Sequence, residues 1–203
     1  MARARPGRAL SRDFYDRPTL EVARDLVGKV LVHRMRSGPA AGMIVEVEAY
    51  IGEDDPACHA SAGLTPRTAA LYGPPGFAYV YLNYGLHYLV NAVTEAEARP
   101  AAVLIRALEP LEGLAGMRRR RATSGTPVSA EALCRGPGNL SRALGVSLAQ
   151  NRLDLTGSQL TIEDRGLEPG PVAWGPRVGI RVGIDRHWRC WVDGHPCVSG
   201  RGQ

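Results

Sequence analysis

The chain has 203 residues, a net charge of +5 and a sequence pI of about 9.3, with 44% apolar and only 6% aromatic residues. That length suits one large domain with a real core and leaves little room for a second. Lys29 is the one lysine among 25 basic residues, which disfavours Schiff-base chemistry, because arginine cannot lose its proton to act as a nucleophile.

In chain order, residues 1–12 read as a basic, flexible tail and residues 13–203 as a single domain. The tail lacks the apolar stretch of a secretory signal. No run approaches the ~18 apolar residues of a membrane span, so a cytoplasmic protein with no membrane partner is expected. Pro18 opens a helix through TLEVARDLV, and Gly28 suits its end. KVLVHR (29–34) reads as a short strand, SGPAAG as a turn, and MIVEVEAYIG (43–52) as a strictly alternating strand. EDDPACHASAGLTPRTAALYGPPG (53–76) is loop-rich, the usual place for a site on a rigid scaffold. FAYVYLN and LHYLVNAV pair as a hairpin through Tyr84-Gly85. AAVLIRALEP is a further strand, interrupted by Arg106. LEGLAGMRRRRA reads as a helix ending in four arginines, and ATSGTPVS as a connector. GPGNLSRALG reads as a loop opening a short helix, with Asn139 as its cap and Gly145 as its stop. From residue 159, LTIED, RVGIRVGI and RCWV read as strands, followed by an Asp193-Gly194 turn into HPCVS. The expected fold class is α+β: a single domain with a mainly antiparallel curved β-sheet, peripheral helices and a protruding β-hairpin.

The four cysteines form no CxxC pair, in a chain too long to need disulfide staples. Cys190, His195 and Cys197 cluster, but a zinc site needs a fourth ligand at compatible spacing. Ordinary packing is expected there, with no metal.

Strand alternation puts Glu46, Glu48 and Tyr50 on one face. Two solvated glutamates on a half-exposed strand are one reading. A general base in a cleft is another. A third is an inverting glycosidase, because the two carboxylates lie roughly 6–7 Å apart along the strand. His59 is a surface loop residue or a site residue. Arg106 in an apolar strand is a structural ion pair or points into a polar cavity. Arg118 to Arg121 are a solvated helix end or contacts for phosphates.

Residues 76–93 hold four of the seven tyrosines, and Phe77 as well. Tyr79 and Tyr81 share one face of the first hairpin strand; His87, Leu89 and Asn91 share one face of the second. A cross-strand aromatic cluster accounts for Tyr79 and Tyr88. It does not account for Tyr84, since a large ring at a hairpin tip buries little. A wedge between base steps accounts for it, and Tyr81 then stacks on an extruded base.

Together VARDLVGKVL, IVEVEAYIG, DPACHASAGLTPRT, PPGFAYVYLNYGLHYLVN, VLIRALEPLEGL and GPGNLSRALG resemble the alkyladenine (3-methyladenine) DNA glycosylase family, in order and over nearly the whole chain. The resemblance implies a monofunctional enzyme without metal or cofactor. It flips alkylated or deaminated purines out of duplex DNA and hydrolyses the N-glycosidic bond. It implies Glu48 as the base that activates water and Arg106 beside that water. Tyr50, His59 and Tyr81 match the walls around the flipped base. Asn91 matches the residue that disfavours guanine, and Tyr84 the intercalating tyrosine. A monomer at the nucleoid, handing abasic sites to a downstream endonuclease, also follows from the resemblance. Three departures stand out: Asn139 in place of the usual lysine, His87 in place of an aromatic residue, and Leu86 beside the wedge. The rival readings are a non-catalytic damaged-DNA binder with the same hairpin, and the sugar glycosidase using Glu46 and Glu48.

Overall fold

The alternating run that begins at Met43 lies within the longest strand of the protein, residues 38–51, and the rest of the sheet assembles on it. The computed structural model describes residues 7–122 and 127–200. Among them lie nine strands: β1 (Arg8–Ala9), β2 (Val30–Met35), β3 (Gly38–Ile51), β4 (Ala78–Asn83), β5 (His87–Val93), β6 (Ala101–Glu112), β7 (Leu160–Asp164), β8 (Val172–Gly175) and β9 (Arg189–Val192). Four short helices accompany them: α1 (Arg12–Tyr15), α2 (Thr19–Leu26), α3 (Leu114–Arg121) and α4 (Pro137–Leu144). The strands pair antiparallel in the order β1-β7-β2-β3-β6-β5-β4, with β9 on β3 and β8 on β9. The sheet curls into a half-barrel in one α+β domain. No described helix is long and apolar enough to cross a membrane.

The two faces of the curled sheet have different chemistry. Val45, Val47 and Ala49 of β3, Val103 and Ile105 of β6, and Val90 and Ala92 of β5 enter the main core. There they meet Val22, Ala23 and Leu26 of α2 and Leu140, Ala143 and Leu144 of α4. Both helices present apolar residues at helical spacing, so each buries one stripe against the sheet. Each such buried Val or Leu contributes roughly 1.5–3 kcal/mol. The opposite face carries Glu46, Glu48 and Tyr50 of β3, Asn91 of β5 and Tyr79 of β4. Alternation therefore puts the polar groups on one side and the core on the other.

One edge of β3 is shared. Residues 38–43 pair with β2, residues 46–48 pair with β9, and β6 takes the other edge from Ala41 to Ile51. The β3–β6 register shifts on either side of Glu46. Such bulges re-aim side chains, and here Glu46 and Arg106 are the residues at the irregularity.

Several sequence expectations are corrected. The turn expected over SGPAAG shrinks to Arg36 and Ser37, since Met35 already pairs with Gly38. Leu111 and Glu112 belong to β6, and the arginine-rich helix starts at Leu114. Gly113 must be glycine there: its φ is +76°, and a Cβ would sit 2.4 Å from the Pro39 carbonyl oxygen. Asn139 is not a cap. It lies inside α4, which Gly136 caps, and its Nδ2 donates to the Arg135 carbonyl at 2.7 Å. Gly145 does end α4, in the left-handed conformation. RVGIRVGI forms no strand: Gly179 and Gly183 take φ of +79° and +59°, and Arg177 turns inward to Asp55. HPCVS is a turn, with Val198 N–H donating to the His195 carbonyl. β8 was not foreseen. Of the tail expected over residues 1–12, residues 1–6 lie outside the described residues. Arg8 and Ala9 pair with β7, and Leu10 is buried, so the chain is tied down from there. Part of the connector, residues 123–126, also lies outside the described residues.

Candidate active site

Glu46 and Glu48 are both fully buried, so neither is a solvated strand residue. They share a face of β3 but have different partners. Glu46 Oε1 accepts from Arg106 Nε at 2.8 Å, Arg189 Nε at 2.7 Å and Ser199 Oγ at 3.0 Å; its Oε2 accepts from Ser199 N–H at 2.7 Å. Of these partners only Arg106 lines the cavity described below, whereas Arg189 and Ser199 do not, which sets Glu46 apart from the cavity and argues against it as the second carboxylate of a glycosidase pair. Glu48 Oε1 accepts from Val178 N–H at 2.6 Å. Its Oε2 accepts from the Tyr50 hydroxyl at 2.8 Å and lies 3.1 Å from Arg106 Nη1. Arg106 thus makes both the structural ion pair and the site contact that were alternatives in the sequence. Burial works against its charge, but Glu48 and Glu46 outweigh that and raise its pKa.

Tyr50, Arg106 and Val178, the three groups that hold Glu48, also line a cavity of about 430 Å³. Glu48 stands behind them in the wall. His59, Tyr79, Tyr81 and Asn91 line the same cavity, with Ala102 and Leu104 of β6. β4 and β5 bring three of these together by register, since Tyr79 pairs with Asn91 and Tyr81 with Leu89. The fourth, His59, arrives on a short 3-10 helix, His59–Ala62. Its Nδ1 lies 2.8 Å from the Tyr79 hydroxyl, and its ring meets Tyr81 edge-on at 4.5 Å between centroids. No base ring fits between rings so close, so His59 and Tyr81 form one continuous wall. Burial, and then the charge of Arg67, lower the His59 pKa below its usual value. Burial, then Glu48's charge and hydrogen bond, push the Tyr50 phenol far up, so it stays a donor to Glu48. Asn91 Nδ2 donates to the Tyr79 carbonyl at 2.9 Å, which fixes the amide in the wall.

Tyr79 and Tyr88 do not form one cluster. Tyr79 faces the cavity, whereas Tyr88 packs on the main core across the sheet. Tyr84 is 88% exposed at the hairpin tip, and its neighbour Leu86 is 76% exposed. Tyr84 and Gly85 have φ of +49° and +69°, and Leu86 N–H donates to the Asn83 carbonyl at 3.0 Å. A left-handed non-glycine residue is strained, and here the closed turn holds the tyrosine exposed at the edge of the cavity. His87 packs on α4, where a Cβ on Gly138 would meet its ring and Cβ at 2.7–2.9 Å. Arg118 is exposed on α3. Arg121 is turned inward, with Nε donating to the Leu133 carbonyl at 3.1 Å. Cys190 and Cys197 belong to the main core. His195 Nε2 lies 3.5 Å from Glu109. Among the described residues, no group of three or more His, Cys, Asp or Glu is placed to hold a metal ion.

Sequence reasoning missed Arg177 and Asp55. Arg177 Nη1 and Nη2 donate to the two Asp55 oxygens at 2.6 and 2.8 Å, with both side chains fully buried. The guanidinium lies over the Tyr50 ring at 4.7 Å and donates to the Ala49 carbonyl at 3.1 Å. The one signal was a pair of arginines, Arg177 and Arg181, in an otherwise apolar expected strand.

A buried carboxylate at an aromatic cavity beside a projecting tyrosine can be compared with known families. Residues 13–196 match the model of methylpurine-DNA glycosylase (MPG). The chain belongs to that family. A methylpurine-DNA glycosylase is a DNA-repair enzyme, a hydrolase acting on N-glycosyl bonds. Several curated relatives carry the name "Putative 3-methyladenine DNA glycosylase". One from Burkholderia lata is 45% identical over 199 residues, covering 96% of this chain and 93% of the relative. One from Methanocella arvoryzae is 48% identical over 198 residues, covering 95% and 96%. One from Rhodopseudomonas palustris is 48% identical over 183 residues, covering 90% and 84%.

Proposed function

We propose that this methylpurine-DNA glycosylase takes alkylated or deaminated purines out of duplex DNA and hydrolyses their N-glycosidic bond, leaving an abasic site. The observation that carries the reading is the Glu48 carboxylate, buried at the cavity wall and held by Val178, Tyr50 and Arg106.

Alkylation at N3 or N7 makes a purine cationic and a good leaving group. The extruded base stacks between Tyr50 and the joint wall of His59 and Tyr81, where the electron-rich ring faces favour a cationic or electron-poor base. Asn91 rejects guanine through its exocyclic amine. Glu48 polarises water for attack at C1′ and its charge stabilises the oxocarbenium-like transition state, with Arg106 orienting the carboxylate. Tyr84 fills the space the base vacates. Exposed Arg118 contacts phosphates, and Arg121 contributes less, with its Nε bound to a carbonyl. The enzyme acts as a monomer, in the cytoplasm at the nucleoid. Its abasic product passes to an abasic-site endonuclease.

Base release from methylated duplex DNA, wild type beside Glu48→Gln, tests the reading. Free 3-methyladenine or 7-methylguanine is expected from the wild type alone. DNA binding without release from either protein, on hypoxanthine and ethenoadenine duplexes as well, overturns it in favour of a damage-binding wedge.

A further inference from the structure

We infer that the Asp55–Arg177 ion pair is a positioning unit for Glu48, an inference that rests on Glu48 being the catalytic base. Two of the three groups holding Glu48 depend on this pair. Val178, whose N–H donates to Oε1 at 2.6 Å, is the residue next to Arg177. Tyr50, whose hydroxyl donates to Oε2 at 2.8 Å, lies under the Arg177 guanidinium at 4.7 Å. The same guanidinium donates to the carbonyl of Ala49, the residue between Glu48 and Tyr50. Arg177 therefore grips β3 at the level of the base and the loop that supplies the amide to it.

Asp55 anchors this grip to a third segment. It takes both Arg177 terminal nitrogens, and it accepts from the N–H groups of Ala57 at 3.2 Å and Ile51 at 3.4 Å. Three segments thus converge on one ion pair: the end of β3, the loop that leads to His59, and the loop at 177–184. Trp188 closes the far side, with Arg177 at 5.2 Å and Arg186 at 4.7 Å from its ring. Arg177 does not line the cavity, unlike its neighbour Val178. It acts on Glu48 through Val178 and Tyr50 and touches no substrate. The residue has to be arginine. A planar fork meets two carboxylate oxygens and lies flat on Tyr50, whereas lysine offers a point charge.

The test uses the full chain with Arg177→Met, Arg177→Lys and Asp55→Asn, on duplexes carrying one 7-methylguanine or one hypoxanthine. Single-turnover excision is measured beside affinity for a duplex with a tetrahydrofuran abasic analogue. Arg177→Met is expected to lose about ten- to hundred-fold in excision rate, by the same factor for the cationic and the neutral base, as for a catalytic group misplaced by up to about 1 Å. Abasic-duplex affinity stays within about two-fold, because only the chemical step is affected. Arg177→Lys does not restore the rate. Asp55→Asn is nearly isosteric and shows the same pattern more weakly, which carries the test if Arg177→Met does not fold. Wild-type excision rates in folded variants overturn the inference. So does a rate loss matched by an equal loss of DNA affinity, which marks a merely structural role. Glu48→Gln run alongside separates the two failures: full activity in that variant sinks the assignment of Glu48 itself.

Discussion

Arg106 and Glu48 are 3.1 Å apart, Nη1 to Oε2, while the same guanidinium donates through Nε to Glu46 at 2.8 Å. One arginine thus joins two buried carboxylates of a single strand. With Arg189 also on Glu46, the charges balance, and Glu48 keeps an oriented carboxylate without a private counter-ion.

Removing Arg106 leaves two buried carboxylates short of a partner. Arg106→Ala is expected to lose about 3–5 kcal/mol of stability, the usual cost of breaking one side of a buried pair. Excision falls further than stability predicts, since Glu48 loses its orientation. Denaturant unfolding beside single-turnover excision checks both. Unchanged unfolding would mean the network is not a unit.

Tyr84 has the opposite signature. It is 88% exposed, so Tyr84→Ala should change stability by less than about 0.5 kcal/mol. Tyr84→Gly should match or exceed wild type, because glycine relieves the positive φ. Both variants are expected to lose excision from a paired lesion and to lose much less when the lesion lies in an unpaired bulge, where no stacking has to be broken. Equal losses on the two substrates would argue against a wedge.

His59 bears on pH dependence. Burial, then Arg67, hold its imidazole below the ordinary ~6.5. The folded protein therefore resists protonating it. Its stability contribution is complete above about pH 6.5 and is lost as pH falls from there through the folded value. The His59 ring resonances should titrate below 6.5, and Arg67→Ala should raise that midpoint. A neutral ring also spares a cationic base from repulsion. A midpoint at or above 6.5 would contradict the geometry.

Acid stability should report the Asp55–Arg177 pair. Burial alone would raise Asp55, but hydrogen bonds and charge from Arg177, with two backbone donors, hold it below its ordinary value. Its stabilisation is fully present above the ordinary ~3.9 and is lost as pH falls through the lower folded value. Glu163, between Arg34 and Arg165, behaves likewise. Melting temperature should drop below about pH 4, and Asp55→Asn should flatten part of that drop while being less stable at neutral pH. A wild-type acid profile in Asp55→Asn would show that the pair contributes nothing.

Much of the site was legible because strand alternation is local. A period of two puts Glu46, Glu48 and Tyr50 on one face of their strand, and Tyr79 and Tyr81 on one face of theirs, whatever the strands pair with. The hairpin and its exposed tip were legible for the same reason, since Tyr-Gly must turn there. The strand expected over RVGIRVGI failed because its glycines take left-handed φ, and because Arg177 finds Asp55 more than a hundred residues earlier in the chain. Asn139 failed as a cap because α4 begins two residues before it, at Pro137.

By itself the sequence determined which residues face together, where the chain turns and which side chains could do chemistry, because those follow from neighbours a few residues apart. Only the tertiary structure decided which carboxylate is held at the cavity and which is locked away. Glu46 and Glu48 are alike in spacing, burial and face. Tyr50 is a local partner of Glu48, and they differ in what long-range pairing brings: Arg189 and Ser199 to one, the Val178 amide to the other. A buried charge takes the role its partners leave it, and most of those partners come from the far end of the chain.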